Sequence, residues 1–269
     1  MSKKSNKSAY SFIYKMRIQK ALAYRFDVFA NIIFQCIVMF ATAFFWKAIY
    51  SGYDSVQGAG VGDMLTYTVI SAVMSILFVT TVELKLMESV EKGTVAMDML
   101  KPVPLFSIYF FEDLGNITSL FFINGLPILL IGSLFIGVPL PADRVSAALF
   151  FVSLILSFLI NWLFAALFSL LSFVTINMHP LIQVKKHILR LLSGSIIPIW
   201  FFPEWAQGIL NVLPFVYIYQ LPLDLYIGRY TLHTAIPKLT IQLVWLVILS
   251  SSFYAAQKSM TKKVMVQGG

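Results

Sequence analysis

Met87–Pro104 reads MESVEKGTVAMDMLKPVP. Five charged residues, Glu88, Glu91, Lys92, Asp98 and Lys101, fall within it, in a chain that is 12% charged and 59% hydrophobic, and Lys85 stands just upstream. A mean hydropathy of +0.82 over 269 residues leaves too little polar surface for a soluble domain and has the composition of an integral membrane protein. The stretch therefore decides the architecture. Here the chain leaves the apolar layer and turns back, and the side on which it emerges orients everything else.

A membrane-crossing helix needs roughly 20 apolar residues. Six segments qualify: Val28–Tyr50, Met64–Val82, Ser107–Val138 with its deep part from Ile117, Val145–Ile176, Ile188–Phe202 interrupted by Pro198, and Ile236–Ala256. The expected fold class is all-α integral membrane with six transmembrane helices, read as one domain over residues 1–269. Six spans place both termini on one side. That side, with the opening stretch, carries 16 of the 20 Lys and Arg; Lys47, Arg144, Arg229 and Lys238 fall on the other. The imbalance places both termini in the cytoplasm. The net charge of +8 is thus a topology signal, and nucleic acid is not an expected partner. The fourth segment, at ~32 residues and ~48 Å, exceeds the ~30 Å hydrocarbon layer and is expected to tilt or protrude.

Cys36 is the single cysteine, so no internal disulfide forms, and no Cys/His cluster suggests a metal. Cys36 is expected to pack or to face lipid. The basic N-terminus leads into an apolar run too long for a signal-peptide core and lacks a small-residue cleavage pattern, so it is expected to be retained. Tyr14, Ile18, Leu22 and Phe26 form an i,i+4 stripe among Lys15, Arg17, Lys20 and Arg25, which fits a helix lying in the inner membrane interface against lipid phosphates.

Within the opening region, Leu84, Met87 and Val90 recur at three-residue spacing. Gly93 breaks the helix, Thr94 can cap a second turn carrying Val95 and Met99, and Pro102 and Pro104 end it. The expectation is a bent amphipathic helix, serving either as a solvated loop or as a docking element whose apolar knobs enter a partner's groove.

VEKGTVAMDMLKPVP, Val90–Pro104, resembles the loop between the second and third spans of ABC-2 type transporter permeases. SGSIIPIWFFPEWAQGILNVLPF, Ser193–Phe215, resembles that family's Ser-Gly, Pro, Phe-Pro and Leu-Pro-Phe pattern around the fifth span. The resemblance covers nearly the whole chain. It implies the permease subunit of an ATP-driven exporter in a bacterial cell membrane, forming half of a pathway for an amphipathic or hydrophobic substrate such as a drug, lipid or peptide. It implies an N-terminal interfacial helix over 1–27, a coupling helix over 83–101 that seats in an ABC ATPase, and a re-entrant outer segment over 203–230. Partners would be ABC ATPase subunits, a second permease (the same chain or a related one) and membrane lipids. In the coupling element Met87, Val90, Val95 and Met99 would supply the buried contact, Glu88, Glu91, Lys92, Asp98 and Lys101 the register, and Gly93 the break.

The chain has no phosphate-binding G-x-x-x-x-G-K-[ST], and LLSGS at Leu191–Ser195 lacks the second glycine and glutamine of an ATPase signature. ATP and Mg are expected in a partner ATPase, no cofactor is expected on this chain, and the chain itself is expected to be non-catalytic. HExxH and GxSxG are absent, and His179, His187 and His233 are scattered. A secondary carrier or channel would need intramembrane coupling charges or inverted repeats. A membrane enzyme or scaffold would need a catalytic cluster at one face.

Polar residues inside the apolar runs are the remaining candidates. Ser153, Ser157, Asn161, Ala165, Ser169 and Ser172 form one small or polar face of span four, which either packs helices or lines a substrate path. Asn116 and Asn124 in span three invite the same two readings. Glu112 and Asp113 read as a solvated or ion-paired helix end, with a proton relay as the alternative. Trp200–Tyr230 is aromatic and proline-punctuated, with Trp205, Ile209 and Val212 on one face, and is expected to form short helices dipping back from the outer side against protein.

Overall fold

The computed structural model describes residues 11–16, 25–141, 143–175 and 177–267, with the backbone alone at 25–28 and 260–267. Its long helices are α1 (Arg25–Ile49), α2 (Val61–Leu77), α5 (Leu105–Leu120), α6 (Leu126–Phe135), α7 (Arg144–Ser169) and α11 (Leu232–Gln267). Between them lie α3 (Val82–Glu91), α4 (Val95–Met99), α8 (His179–Leu192), α9 (Glu204–Leu210) and α10 (Gln220–Tyr226). A two-residue turn at Gln57 and Gly58, both at positive φ, closes a minimal hairpin of β1 (Ser55–Val56) and β2 (Ala59–Gly60).

Among the described residues, five helical stretches are long and apolar enough to cross a membrane: Phe29–Ile49, Val61–Glu91, Leu105–Phe135, Arg144–Phe173 and Leu232–Ser259. Their outward faces are apolar, as a lipid-facing surface requires: Phe29, Ile33, Phe34 and Ile37 on α1 and Leu243, Val244 and Val247 on α11 are exposed. The opposite stripe of α1, Met39, Ala43 and Trp46, is buried at helical spacing and continues into Tyr50 just past its end. Cys36 is half-buried, beside Met39 and Val69.

The third stretch is not a uniform helix. Phe121–Gly125 winds as a π-turn between α5 and α6. Pro127 follows directly; it has no N–H to donate, and its ring would meet the carbonyl four residues back, so the ladder widens there. Farther along, Gly132 lets α6 close on α2. A Cβ at this position would stand 2.5 Å from Cγ1 of Val69 and 2.9 Å from its Cγ2.

The expected fifth span, Ile188–Phe202, is not one helix. α8 ends at Leu192, Gly194 turns at φ +81, and after Pro198 the chain makes a single 3₁₀ turn, Ile199–Phe201. Glycine and proline stop the ladder, and the break is closed by other elements: the Ser193 carbonyl accepts from the Gln220 N–H at 3.1 Å and the Ile199 N–H donates to Gln220 Oε1 at 2.9 Å. From there the chain doubles back along α7. Phe201 stacks on Trp46 with ring centroids 5.2 Å apart, Phe215 meets Phe164 at 5.5 Å, the Tyr217 carbonyl accepts from Ser157 Oγ at 2.8 Å, and Tyr226 meets Phe150 at 5.1 Å.

One end of the bundle gathers the hairpin, Pro139 and the turn after α10. Arg229 Nη2 donates to the Gln57 carbonyl at 3.1 Å and Tyr226 OH to the Pro139 carbonyl at 3.2 Å. The other end gathers α3, α4, the turn Leu170–Phe173 and the start of α8. Of the N-terminal stripe, Tyr14 donates to Thr118 Oγ1 at 3.2 Å; Ile18, Leu22 and the side chain of Phe26 lie outside the described residues.

Gly132→Val is expected to lower stability by about 1–3 kcal/mol through overpacking against Val69, read as a fall in melting temperature in detergent. Gly208→Ala, where an added Cβ meets nothing within 4 Å, is the control and should leave the melting temperature in place.

Candidate functional site

The charged stretch folds as an elbow of α3 and α4. α3 ends in a Schellman turn: the Gly93 N–H donates to the Val90 carbonyl at 3.0 Å and the Thr94 N–H to the Ser89 carbonyl at 2.9 Å, with Gly93 at φ +67, where a side chain is disfavoured. Ser89 Oγ then donates to Asp98 Oδ2 at 2.7 Å, and Lys101 Nζ reaches Asp98 Oδ1 at 2.7 Å, so one carboxylate ties α4 back onto α3. These two donors hold the Asp98 carboxyl below its ordinary value of 3.8, the Lys101 contact having the larger effect.

The elbow's inner face is packed on its own chain. Val82, Leu86 and Val95 are buried with Leu105, Phe106 and Trp162, and Val90 and Met99 pack partly against the same cluster. Of the four expected contact residues, Val90, Val95 and Met99 thus serve the internal core, and Met87 is half-buried. Glu88, Glu91, Lys92 and Lys101 stay exposed, Glu88 pairing with Lys92 at 3.2 Å. The apolar groups that the elbow presents outward are Met97 and Leu100, 68% and 85% exposed. The i,i+4 pattern found the apolar face of α4 but not its partner, because periodicity cannot tell a core from an interface.

Two ionic joints, one nearly sealed and one half-buried, fasten the elbow to the bundle. Glu83 pairs with Lys185 of α8 at 2.5 Å, both side chains nearly sealed, and Lys85 pairs with Glu112 of α5 at 2.5 Å. Asp113, fully buried, accepts from the Thr81 hydroxyl, from the Thr81 N–H at 3.1 Å and from Trp162 Nε1 at 3.0 Å. Glu112 and Asp113 are therefore ion-paired and hydrogen-bonded, with Lys85 as the partner, but they lie two turns inside α5 rather than at its end.

The polar face of span four divides. Asn161 Nδ2 donates at 2.9 Å to the Phe78 carbonyl, which the end of α2 leaves without a helical partner. Ser153 and Ser157 close on Gln242 of α11: Ser153 Oγ donates to Gln242 Oε1 at 3.1 Å, and Gln242 Nε2 lies 2.9 Å from both Ser157 Oγ and the Tyr217 carbonyl. This is helix-to-helix packing. Asn124 is buried in the π-turn with its Oδ1 unpartnered among the described residues, and Asn116 is half-buried nearby. Gln220 and Gln242 were legible as intramembrane amides by the rule that singled out Asn161; Tyr67 was not, lost among the other aromatics.

Above the elbow, α1, α2 and α8 enclose a trough of about 600 Å³, lined among others by Phe34, Val38, Ser71, Asn161, Lys186 and Arg190. Asn161 is the one expected pathway residue on its wall. At its far end the Tyr67 hydroxyl donates to the Gly194 carbonyl and lies 3.0 Å from Gln220 Oε1, and Gln220 Nε2 donates to Asp224 Oδ1 at 2.7 Å. This latch separates the trough from a smaller pocket of about 200 Å³ lined by Trp200, Asp224 and Arg229.

The depressed Asp98 carboxyl sets a pH limit on the elbow. A group whose folded value lies below its unfolded one stabilises above the unfolded value and loses that contribution as pH falls through the folded one. Amide protection at 93–101 is therefore expected to hold down to about pH 4 and to fall below it, with Asp98→Asn flattening the dependence; hydrogen exchange at stepped pH measures this.

No curated protein matches the chain. The family described as ABC-2 family transporter protein matches residues 36–262, from within α1 to near the end of α11, with the elbow inside the match. That match, over five apolar crossing-length helices, shows a multi-pass membrane protein of the permease type, and the chain belongs to the ABC-2 transporter family.

Proposed function

We propose that the chain is the permease half of an ATP-driven exporter, docked through its elbow onto a separate ABC ATPase that holds ATP and Mg, and paired with a second permease. The observation that carries this reading is the two-faced elbow. Its inner face is locked into the core by Val82, Leu86 and Val95, while Met97, Leu100 and the charges Glu88, Glu91, Lys92 and Lys101 project from it. Apolar groups flanked by charges of both signs suit a soluble partner's groove. The joints Glu83–Lys185 and Lys85–Glu112 would carry a push on the elbow into α8 and α5.

The layout fits six crossings. α8 with residues 193–202 runs from the elbow end, where Lys185 meets Glu83, to Trp46 near the opposite end, and serves as a broken fifth crossing. Residues 203–226 descend to Phe164 and return to Phe150, as a re-entrant outer segment would. Lys85, Lys92, Lys101, Lys185, Lys186 and Arg190 lie on or beside the elbow and on α8, which supports a cytoplasmic elbow end with both termini on that side of a bacterial cell membrane. The substrate is amphipathic or hydrophobic, and its direction is outward.

Tagged chain expressed in its native host and purified in mild detergent is expected to bring down an ABC ATPase. Met97→Asp with Leu100→Asp should lose it by tenfold or more while the melting temperature holds, since both side chains are exposed. Undiminished co-purification of the double variant would sink the reading.

A further inference from the structure

The trough between α1, α2 and α8 has a polarity of its own. Its volume, about 600 Å³, lies in the range of ligand sites, roughly 300–1,000 Å³. One wall is apolar, with Phe34, Val38 and Ile196. Its floor is the α2 face bearing Thr68, Ser71 and Ser75, whose hydroxyls each donate to a backbone carbonyl at 2.7–2.9 Å. Its elbow-side end is basic, with Lys185, Lys186, His187 and Arg190 within one and a half turns of α8.

The charge is not balanced from within. No described carboxylate lines the trough. Glu83, just outside, is matched by Lys185, and among the described residues neither Lys186 nor Arg190 has an ion-pair partner. Lys186 and Arg190 stand four residues apart, so one headgroup can meet both. Lysines serving only as topology anchors need a rim, not a hydroxyl-floored cavity beneath it. Basic pockets between helices on the cytoplasmic side suit lipid-type headgroups.

We propose that this trough seats an anionic amphiphile, its phosphate-like or carboxylate head on Lys186 and Arg190 and its chain along Phe34, Val38 and Ile196. Calling that amphiphile the substrate rests on the permease reading above; the binding site itself does not. A cationic amphiphile finds no counter-charge there and is excluded.

The test uses the full chain in phosphatidylcholine nanodiscs, titrated by native mass spectrometry with dodecyl phosphate, dodecyltrimethylammonium and inorganic phosphate. Saturable binding of one dodecyl phosphate per chain is expected, with neither comparator bound at the same concentration. Lys186→Gln with Arg190→Gln should weaken it by about tenfold or more, the loss of charged hydrogen bonds, and Ser75→Leu should weaken it by filling the floor. Lys47→Gln with Arg144→Gln removes two cations from the opposite end and should change nothing. Equal binding by the Lys186/Arg190 variant, or equal binding of the dodecyl cation, overturns the proposal. Inorganic phosphate binding as tightly as dodecyl phosphate reduces the trough to a surface anion site and also overturns it. Binding without ATPase co-purification upholds the site and overturns the permease reading; co-purification without binding does the reverse.

Discussion

The constraint on which the structure depends is that a backbone N–H or C=O in an apolar layer must be met from within the protein. The chain breaks its helices at several depths, and each break recruits a side chain from a neighbouring element. Asn161 of α7 meets the carbonyl of Phe78, Asp113 of α5 meets the N–H of Thr81, and Ser157 and Gln242 meet the carbonyl of Tyr217. Gln220 meets the N–H of Ile199, and Ser71 meets the carbonyl of Ser195. The scattered polar residues of an otherwise apolar chain are therefore mostly closures for interrupted helices.

The same constraint makes the elbow rigid. Between α2 and α3 the ladder lapses for four residues, a natural place for a hinge, yet Asp113, Trp162 and Asn161 converge on it and the two ionic joints lie immediately beyond. Breaking one partner of a nearly sealed pair such as Glu83–Lys185 is strongly unfavourable, of order 3–5 kcal/mol. These pairs tie the elbow, α5 and α8 together as one unit.

Hydropathy carried most of the fold. Five apolar runs became five crossing-length helices, because a run of that length has few other ways to bury its backbone. Gly93 and the prolines at 102 and 104 marked the elbow correctly, since backbone conformation there is a local property. What the sequence concealed was partnership. Val95 and Met99 have the spacing of a docking stripe and proved to be core, whereas Met97 and Leu100, in no pattern, are the exposed pair. Glu112 and Asp113 looked unpartnered because Lys85, their counter-charge, comes from the elbow, far away in the chain. The fifth run, expected with an interruption at Pro198, already leaves the helix after Leu192, and its closure by Gln220 is a long-range pairing that no window of sequence displays.

The latch at Tyr67, Gly194 and Gln220 has a consequence for water. Gly194 fits only as glycine, since a Cβ there would stand 2.4 Å from Gln220 Oε1, so the three groups form one tightly closed junction. Parting them leaves the carbonyl of Gly194, the hydroxyl of Tyr67 and both ends of the Gln220 amide without these partners, and each bare group is costly unless something replaces the lost bond. The junction therefore does not part dry. Solvent, or another polar group, has to take up the lost bonds as the two sides separate, which makes wetting and parting a single event.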